Sequence, residues 1–303
     1  MYGQSDDAES IATIHAAIDR GVNLLDTGDF YGMGHNEMLI GRAIEDRRDK
    51  VLLSVKFGAM RDPRGGWSGY DARPAAVKNF VAYSLQRLGV DHIDVYRPAR
   101  LDPRVPIEET IGAIADLIKQ GYVRHIGLSE VGPETIRRAQ ATHPIVDLQI
   151  EYALVTRGPE QHILPVTREF GMSITAYGVL SRGLLAGSVP SRGDMRAFLP
   201  RFKGANGEQN RKFVEALAQF AQELGKTQTQ VAIAWVLAQG KDLLPTMGAR
   251  TRKQLEETLG AVDVVLTPEQ LQTLEAIAAE APIAGTRYDE GQMKALDSEK
   301  IVA

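Results

Sequence analysis

Apolar residues arrive along this chain in two alternating rhythms. Short bursts rich in Val, Ile and Leu, such as "VNLLD", "VLLSVK", "HIDVYR", "VRHIGLS", "VDLQIE" and "SITAYG", predict buried strands. Between them lie stretches with apolar residues three and four apart, the spacing that predicts amphipathic helices. The clearest of these places Val77, Phe80, Val81, Ser84, Leu85 and Leu88 on one face, with Pro74 to open it and Gly89 to close it. Ile107, Ile111, Ile114 and Ile118 stripe the next helix, which stops at Gly121. Farther on, "RKFVEALAQFAQELG" and "TQVAIAWVLAQ" predict two helices before a last strand, "DLLPT". "TRKQLEETLG" and "PEQLQTLEAIAAE" then predict closing helices.

Strand–helix alternation without hairpin signals predicts right-handed βαβ units and a parallel sheet. Repeated this often, it favours an α/β (β/α)8 TIM barrel over an open doubly wound sheet. The pattern gives seven strands and opens on a helix, "IATIHAAIDRG", so the barrel is expected without its first strand and with extra C-terminal helices. No linker or low-complexity segment divides the chain, and residues 1–303 are read as one domain. Within it, 182–209 is expected to be a lid-like loop, being rich in Gly, Pro and Arg, and 281–303 a tail.

Composition removes several function classes. The formal net charge is -4 with both signs interspersed, which gives no nucleic-acid surface and no polybasic membrane arm. The absence of cysteine excludes disulfides, thiolate catalysis and Cys-based metal sites. No apolar run approaches the ~20 residues of a membrane-spanning helix. The start, "MYGQSDDAES", has neither part of a signal peptide, so a soluble cytoplasmic protein is expected.

In a parallel barrel, functional side chains lie at the C-terminal ends of strands. Those positions here include Asp26 with Tyr31, Lys56, Arg97 to Arg100, Ser129 with Glu130, Gln149 with Tyr152, Tyr177, and the segment around Gly248. Lys56 ends a burst that should be buried, and a buried ammonium needs a partner to stay charged. Asp26, at the end of the preceding strand, is the natural one. A cation near Tyr31 favours loss of the phenol proton, and a Tyr acid suits reactions that protonate a developing alkoxide. Alone, each residue has a plain structural reading: turn former, rim aromatic, snorkelling strand end. Together, at consecutive strand ends, they point to a proton-transfer site.

These residues also carry a resemblance to the aldo-keto reductase family that runs over almost the whole chain. "DTGDFYGMGHNEMLIGRAI" resembles its Asp–Tyr signature and following helix, and "LLSVKFG" resembles the strand of its catalytic lysine. "GYVRHIGLSE", "QIEY", "AYGVLSRGLLAG" and "PTMGARTRKQLEETLGAVDVVLTPEQL" are similar to its cofactor-binding segments, in the correct order. The resemblance implies an eight-stranded barrel, NADPH as cofactor, and reversible reduction of a small-molecule carbonyl substrate. By position it implies Asp26, Tyr31 and Lys56 as catalytic, with Tyr31 the proton donor. Ser129 and Gln149 are implied as carboxamide ligands, Tyr177 as the platform under nicotinamide, and Leu180, Ser181 and Gly183 as neighbours of the pyrophosphate. Gly248, Ala249, Arg250, Gln254, Glu257 and Thr258 are implied at the adenosine end, with Arg250 suited to the 2′-phosphate. Glu130 and Thr258 stand where the family commonly has Asn.

Two departures accompany the likeness. The family's active-site His falls at Ala99 in this sequence, while His92 lies at the wrong end of the strand. Arg97 or Arg100 is a candidate replacement that would favour anionic or strongly polar substrates; the alternative is that both make structural ion pairs. The chain also starts beyond the family's opening hairpin and first strand. Either the natural frame begins upstream, or the gap is covered by the tail or a neighbouring chain. Phe30, Trp67, Arg97 and Ala99, with Phe198 and Phe202 of the lid, are expected to line the substrate pocket. Two rival readings stay open: a weakly catalytic NADP(H)-binding regulatory protein, and a Schiff-base aldolase using Lys56. No metal is expected, and a homo-oligomer is left open.

Overall fold

The computed structural model describes residues 6–191 and 193–300. The expected short start before residue 6, Arg192 of the lid-like loop and the last three residues of the tail lie outside the described residues. The strands are β1 (Leu24–Gly28), β2 (Leu52–Phe57), β3 (Ala59–Arg61), β4 (Trp67–Tyr70), β5 (Ile93–Pro98), β6 (Val123–Ser129), β7 (Ile145–Glu151), β8 (Ser173–Tyr177) and β9 (Leu243–Pro245). The chain divides into two compact units. Unit 1 takes the described residues of Met1–Gln149, with Val166–Ser173 and Gly248–Leu255; unit 2 takes Ile150–Pro165, Ile174–Met247 and those of Glu256–Ala303.

In unit 1, β1, β2, β5, β6 and the unit's part of β7 pair in parallel, in that order. Helices His35–Ile44, Pro74–Leu88, Ile107–Lys119 and Pro133–Thr142 alternate with these strands, which is the βαβ rhythm read from the sequence. The register brings Asp26 opposite Ser54, Lys56 opposite both Gly28 and Arg97, and Ser129 opposite Gln149. Residues two apart on a strand share a face, so Ser54 and Lys56 point the same way, as do Asp147 and Gln149. The helix Pro74–Leu88 buries Val77, Val81, Ser84 and Leu88 of the expected face, leaves Phe80 and Leu85 half-buried, and ends on Gly89 at φ 65°. Gly41 lets the helix His35–Ile44 approach it closely, since a Cβ there would stand 2.7 Å from the Leu88 carbonyl oxygen.

A short antiparallel hairpin, β3 with β4, corrects the expectation of a chain without hairpins. Its strands are too brief for periodicity to register. Its turn is nevertheless built by legible residues: Asp62 accepts the N–H groups of Arg64 and Gly66, each at 2.8 Å, and Gly65 takes φ 78°.

In unit 2, β8 pairs in parallel with β9. Trp235, Phe213 and Leu217 are fully buried, the first on the helix Gln228–Ala238 and the other two on Gly204–Glu223. The lid-like loop is shorter than expected. Turns of 3-10 helix cover Ser181–Ala186, Met195–Phe198 and Pro200–Phe202, and an α-helix already begins at Gly204. "GANGEQN" has weak helix propensity, but tertiary bonds override it. Asn210 donates to the carbonyls of Arg201 at 2.8 Å and Ala284 at 3.0 Å, and Asn206 donates to Pro200 at 3.1 Å. Among the described residues, no helix is long and apolar enough to cross a membrane.

Candidate active site

β1 and β2 end side by side, and their last residues place a carboxylate against an ammonium. Lys56 is 4 % exposed and its Nζ pairs with Asp26 Oδ2. The same ammonium stands 5.0 Å from the centroid of the Tyr31 ring. Tyr31 is half-buried and opens the tight turn Tyr31–Gly34, in which Met33 adopts φ 54° and Gly34 φ 95°. Phe30 packs edge-on against Tyr31, with centroids 4.7 Å apart, and against Trp67 at 5.9 Å. A phenol, a cation and an apolar wall are thereby assembled from three consecutive segments.

Asp26 is held by more than Lys56. Ser54 donates to its Oδ1 at 2.8 Å and the Gln149 side-chain amide donates to the same oxygen at 2.9 Å. Burial alone would raise the Asp26 carboxyl. The charges of Lys56 and Arg97, together with hydrogen bonds from Lys56 and Ser54, outweigh burial and keep it below the ordinary carboxylate range. Asp26 therefore stays ionised, and its partner Lys56 stays compensated in a site with little water.

Arg97 is 1 % exposed; it donates to Asp147 at 2.6 Å and to Ser54 at 2.9 Å. Of the two readings open for this arginine, the geometry places it in an internal ion pair. Arg100 is half-buried and donates to the Ala99 carbonyl at 2.6 Å and to Ser129 Oγ at 3.3 Å. Ala99 is 3 % exposed, and its N–H donates to the Phe57 carbonyl at 2.8 Å. Ser129 and Glu130 are buried. Glu130 adopts φ 53° and donates its N–H to the Gln149 carbonyl at 3.0 Å. Gly248, Ala249 and Arg250 follow β9 in sequence, and the exposed Arg250 has its N–H held by the Gln254 side chain at 2.9 Å.

Unit 2 gathers a second set. Tyr177 ends β8, and its hydroxyl lies 3.1 Å from that of Tyr288 and 3.3 Å from Arg287 Nη1. The Leu180 carbonyl accepts the N–H groups of Gly183 and Leu185. Ser181, Arg182 and Gly183 occupy consecutive left-handed positions, at φ 46°, 56° and 92°. A Cβ at Gly183 would stand 3.0 Å from Arg196 Nη1 and 3.1 Å from the Ser188 side chain. Buried Glu151 receives Arg182 and Arg201 at 3.5 Å each and Arg287 at 3.7 Å. Arg201 also donates to Ser181 Oγ at 2.9 Å. Burial, opposed by Glu151 and reinforced by the cations of Arg182 and Arg287, lowers Arg201 from its ordinary range. Glu257 offers its carbonyl to Gln230 at 3.2 Å, and Thr258 is half-buried nearby in sequence. Phe202 is half-buried, whereas Phe198 is 77 % exposed.

Several residues of these sets are absent from the sequence reading. Ser54 and Asp147 each sit two positions before a named residue, and the period of two puts them on the same face; that signal was available. Glu151, Arg201, Arg287 and Tyr288 carried none, because their meeting depends on loop and tail paths that have no periodicity.

A family model described as "Aldo/keto reductase family" matches residues 1–279. A probable aldo-keto reductase 1 of Glycine max is 37% identical over 289 residues, covering 93% of this chain and 83% of that protein. Among solved structures, the glycerol dehydrogenase AKR11B4 of Gluconobacter oxydans is similar at a TM-score of 0.86 and 30% identity, covering 94% of this chain and 89% of that one. An aldo/keto reductase of Klebsiella pneumoniae, solved in complex with NADP and acetate, is similar at 0.73 and 26%, covering 93% and 89%.

Proposed function

Since the chain belongs to the aldo/keto reductase family of oxidoreductases, we propose that it uses NADPH to reduce a small aldehyde or ketone to the alcohol, with Tyr31 as the general acid and the fold completed as a (β/α)8-type barrel. The observation that carries this reading is the Lys56 ammonium, paired with Asp26 and 5.0 Å from the Tyr31 ring.

Each unit, taken by itself, offers groups suited to parts of a dinucleotide. In unit 1, Ser129 and Gln149 offer a hydroxyl and an amide for the carboxamide, and exposed Arg250 offers a guanidinium fork for a 2′-phosphate. In unit 2, Tyr177 offers an aromatic face. Ser181 and Gly183 offer a left-handed backbone run where a Cβ would crowd Arg196, beside an arginine group suited to phosphates. Leu180 belongs to that run. Gly248, Ala249, Gln254, Glu257 and Thr258 are assigned to the adenosine end, and Glu130 to the carboxamide side. When bound, NADPH supplies the two electrons that reduce the carbonyl carbon.

The chain's own residues do the rest. Tyr31 donates its proton to the carbonyl oxygen as negative charge develops there. Lys56 stabilises the charge left on the phenol oxygen, and Asp26 holds Lys56 in place under Ser54 and Gln149. Phe30 and Trp67 keep water from one side of the substrate. With Ala99 at the position of the family's His, Arg97 is committed to Asp147 and Ser54. Arg100, which donates to the Ala99 carbonyl and to Ser129 Oγ, is the second cation assigned to an anionic or strongly polar substrate.

The test is NADPH oxidation across a panel of aromatic, aliphatic and acidic aldehydes, with Tyr31→Phe as control. Turnover that collapses in Tyr31→Phe supports the reading. NADPH binding without oxidation of any panel member would leave a regulatory, cofactor-sensing protein instead.

A further inference from the structure

Asp29 stands outside the proton-transfer trio, yet it ties the segments of two of its members together. Its backbone N–H donates to the Lys56 carbonyl at 2.9 Å. Its Oδ2 accepts the N–H of Gly58 at 3.1 Å. Both bonds reach the end of β2, and Asp29 itself lies two residues before Tyr31. Gly58 is fixed on its other side as well. It sits at φ 86°, its carbonyl accepts the Asp71 N–H at 2.9 Å, and a Cβ on it would come within 2.6 Å of the Asp71 carbonyl oxygen. The turn that carries Tyr31 is therefore buttoned to Lys56 on β2 and to Gly58, which follows the strand's end.

The surroundings of this carboxyl are unusual for a turn residue. Its Oδ1 is buried and has no hydrogen-bond partner among the described residues. The charged and titratable groups that face it are Glu37, from the helix His35–Ile44, Arg87, from the helix Pro74–Leu88, and Tyr96, from β5. Glu37 is fully buried, its Oε2 accepts Arg87 Nε at 2.5 Å, and its Oε1 is likewise buried without a partner. Two carboxyls thus depend on one guanidinium. Burial, opposed by the Gly58 bond, reinforced by Glu37 and opposed again by Arg87, raises Asp29 to about 7. An ordinary turn aspartate gains from facing water; this one is half-buried, with one oxygen on Gly58 and the other buried without a partner.

We propose that Asp29 is the positioning residue that sets Tyr31 against Lys56, and that the turn is seated while the carboxyl is neutral and strained outward when a second negative charge appears beside Glu37. The inference rests on the carbonyl-reductase reading of Tyr31 and Lys56. Asp29 touches neither substrate nor cofactor in it; it acts through the turn.

Two variants separate the contributions. Asp29→Asn keeps an acceptor for Gly58 and cannot ionise. Asp29→Ala removes the side-chain bond. In steady-state NADPH oxidation, Asp29→Ala is expected to lose at least about tenfold in kcat, a change of one decade in rate, with the Kd for NADPH unchanged. Asp29→Asn is expected to recover most of that loss. The unmodified protein is expected to lose kcat as pH rises through about 7, and the Asn variant to lack that limb. Equal kcat in all three proteins, or an alkaline limb that persists unshifted in Asp29→Asn, overturns the proposal. If the unmodified chain oxidises no NADPH, the carbonyl-reductase reading fails by itself. The clamp is then decided by amide hydrogen exchange over residues 29–34. Faster exchange in Asp29→Ala, restored in Asp29→Asn, supports it, and unchanged protection overturns it.

Discussion

Arg97 and Asp147 meet at 2.6 Å with the guanidinium 1 % exposed, so this cation is held inside the protein by its own sheet. It faces Asp26 electrostatically and hydrogen-bonds Ser54, which in turn holds Asp26. Removing one member of such a buried pair leaves the other charge uncompensated, at a cost of about 3–5 kcal/mol. Arg97→Met, which keeps most of the volume, is expected to lose stability on that scale in urea unfolding. Its preference between acidic and neutral aldehydes is expected to stay as it was. A shifted preference with intact stability would return Arg97 to the substrate pocket.

Tyr31→Phe deletes one oxygen and leaves the packing of Phe30 against the ring in place. Loss of a positioned general acid lowers rates by roughly 10²–10⁴. The expected result is a fall of that order in kcat with NADPH affinity retained, read by cofactor oxidation and by fluorescence titration. Wild-type turnover in this variant would move the proton source elsewhere.

Much of this site was legible because strand ends are legible. Asp26, Lys56, Ser129 and Gln149 each close or nearly close an apolar burst, and the parallel register then sets Ser129 opposite Gln149 and Lys56 beside Asp26. The role of Arg97 was not, since a strand-end arginine reads the same whether it faces a ligand or an aspartate fifty residues away. What distinguishes the two is Asp147, which the pairing of β5 with β6 and of β6 with β7 brings into reach. The start of the helix at Gly204 was hidden for a related reason. Its first two turns are supported by carbonyls of Pro200, Arg201 and Ala284 rather than by its own propensity.

The Asp29 carboxyl gives the protein a specific pH dependence of stability. Its value in the fold, about 7, lies above the 3.8 of a free aspartate. Between these two, the folded chain holds a proton that the unfolded chain has released. Stability therefore falls as pH rises from about 4 toward 7 and levels off above that, by at most roughly 1.4 kcal/mol per unit of difference. Asp29→Asn is expected to flatten this decline and to gain Tm over the unmodified protein at pH 8 but not at pH 4. Parallel Tm curves for the two proteins would show that the carboxyl ionises normally.

Arg250 is exposed, with its backbone N–H held by Gln254, whereas its exposed neighbour Arg252 is paired with Glu9. A guanidinium so placed has lost little by desolvation and is poised to grip a phosphate with two parallel hydrogen bonds. Only the 2′-phosphate distinguishes NADPH from NADH, so the contribution of Arg250 is expected to appear as a difference between the two. A charge-assisted bidentate contact contributes on the order of 1.5–3 kcal/mol, which corresponds to about ten- to a hundredfold in Kd. Arg250→Ala should weaken NADPH by that factor and leave NADH within about twofold, a difference below half a kcal/mol. Raising ionic strength should erode the NADPH advantage of the unmodified protein, because an exposed contact is screened within a Debye length of about 10 Å at 0.1 M salt. Binding titrations with both nucleotides at two salt concentrations therefore check the assignment. Equal weakening of NADPH and NADH would place Arg250 elsewhere along the dinucleotide, and no weakening of either would remove it from the site.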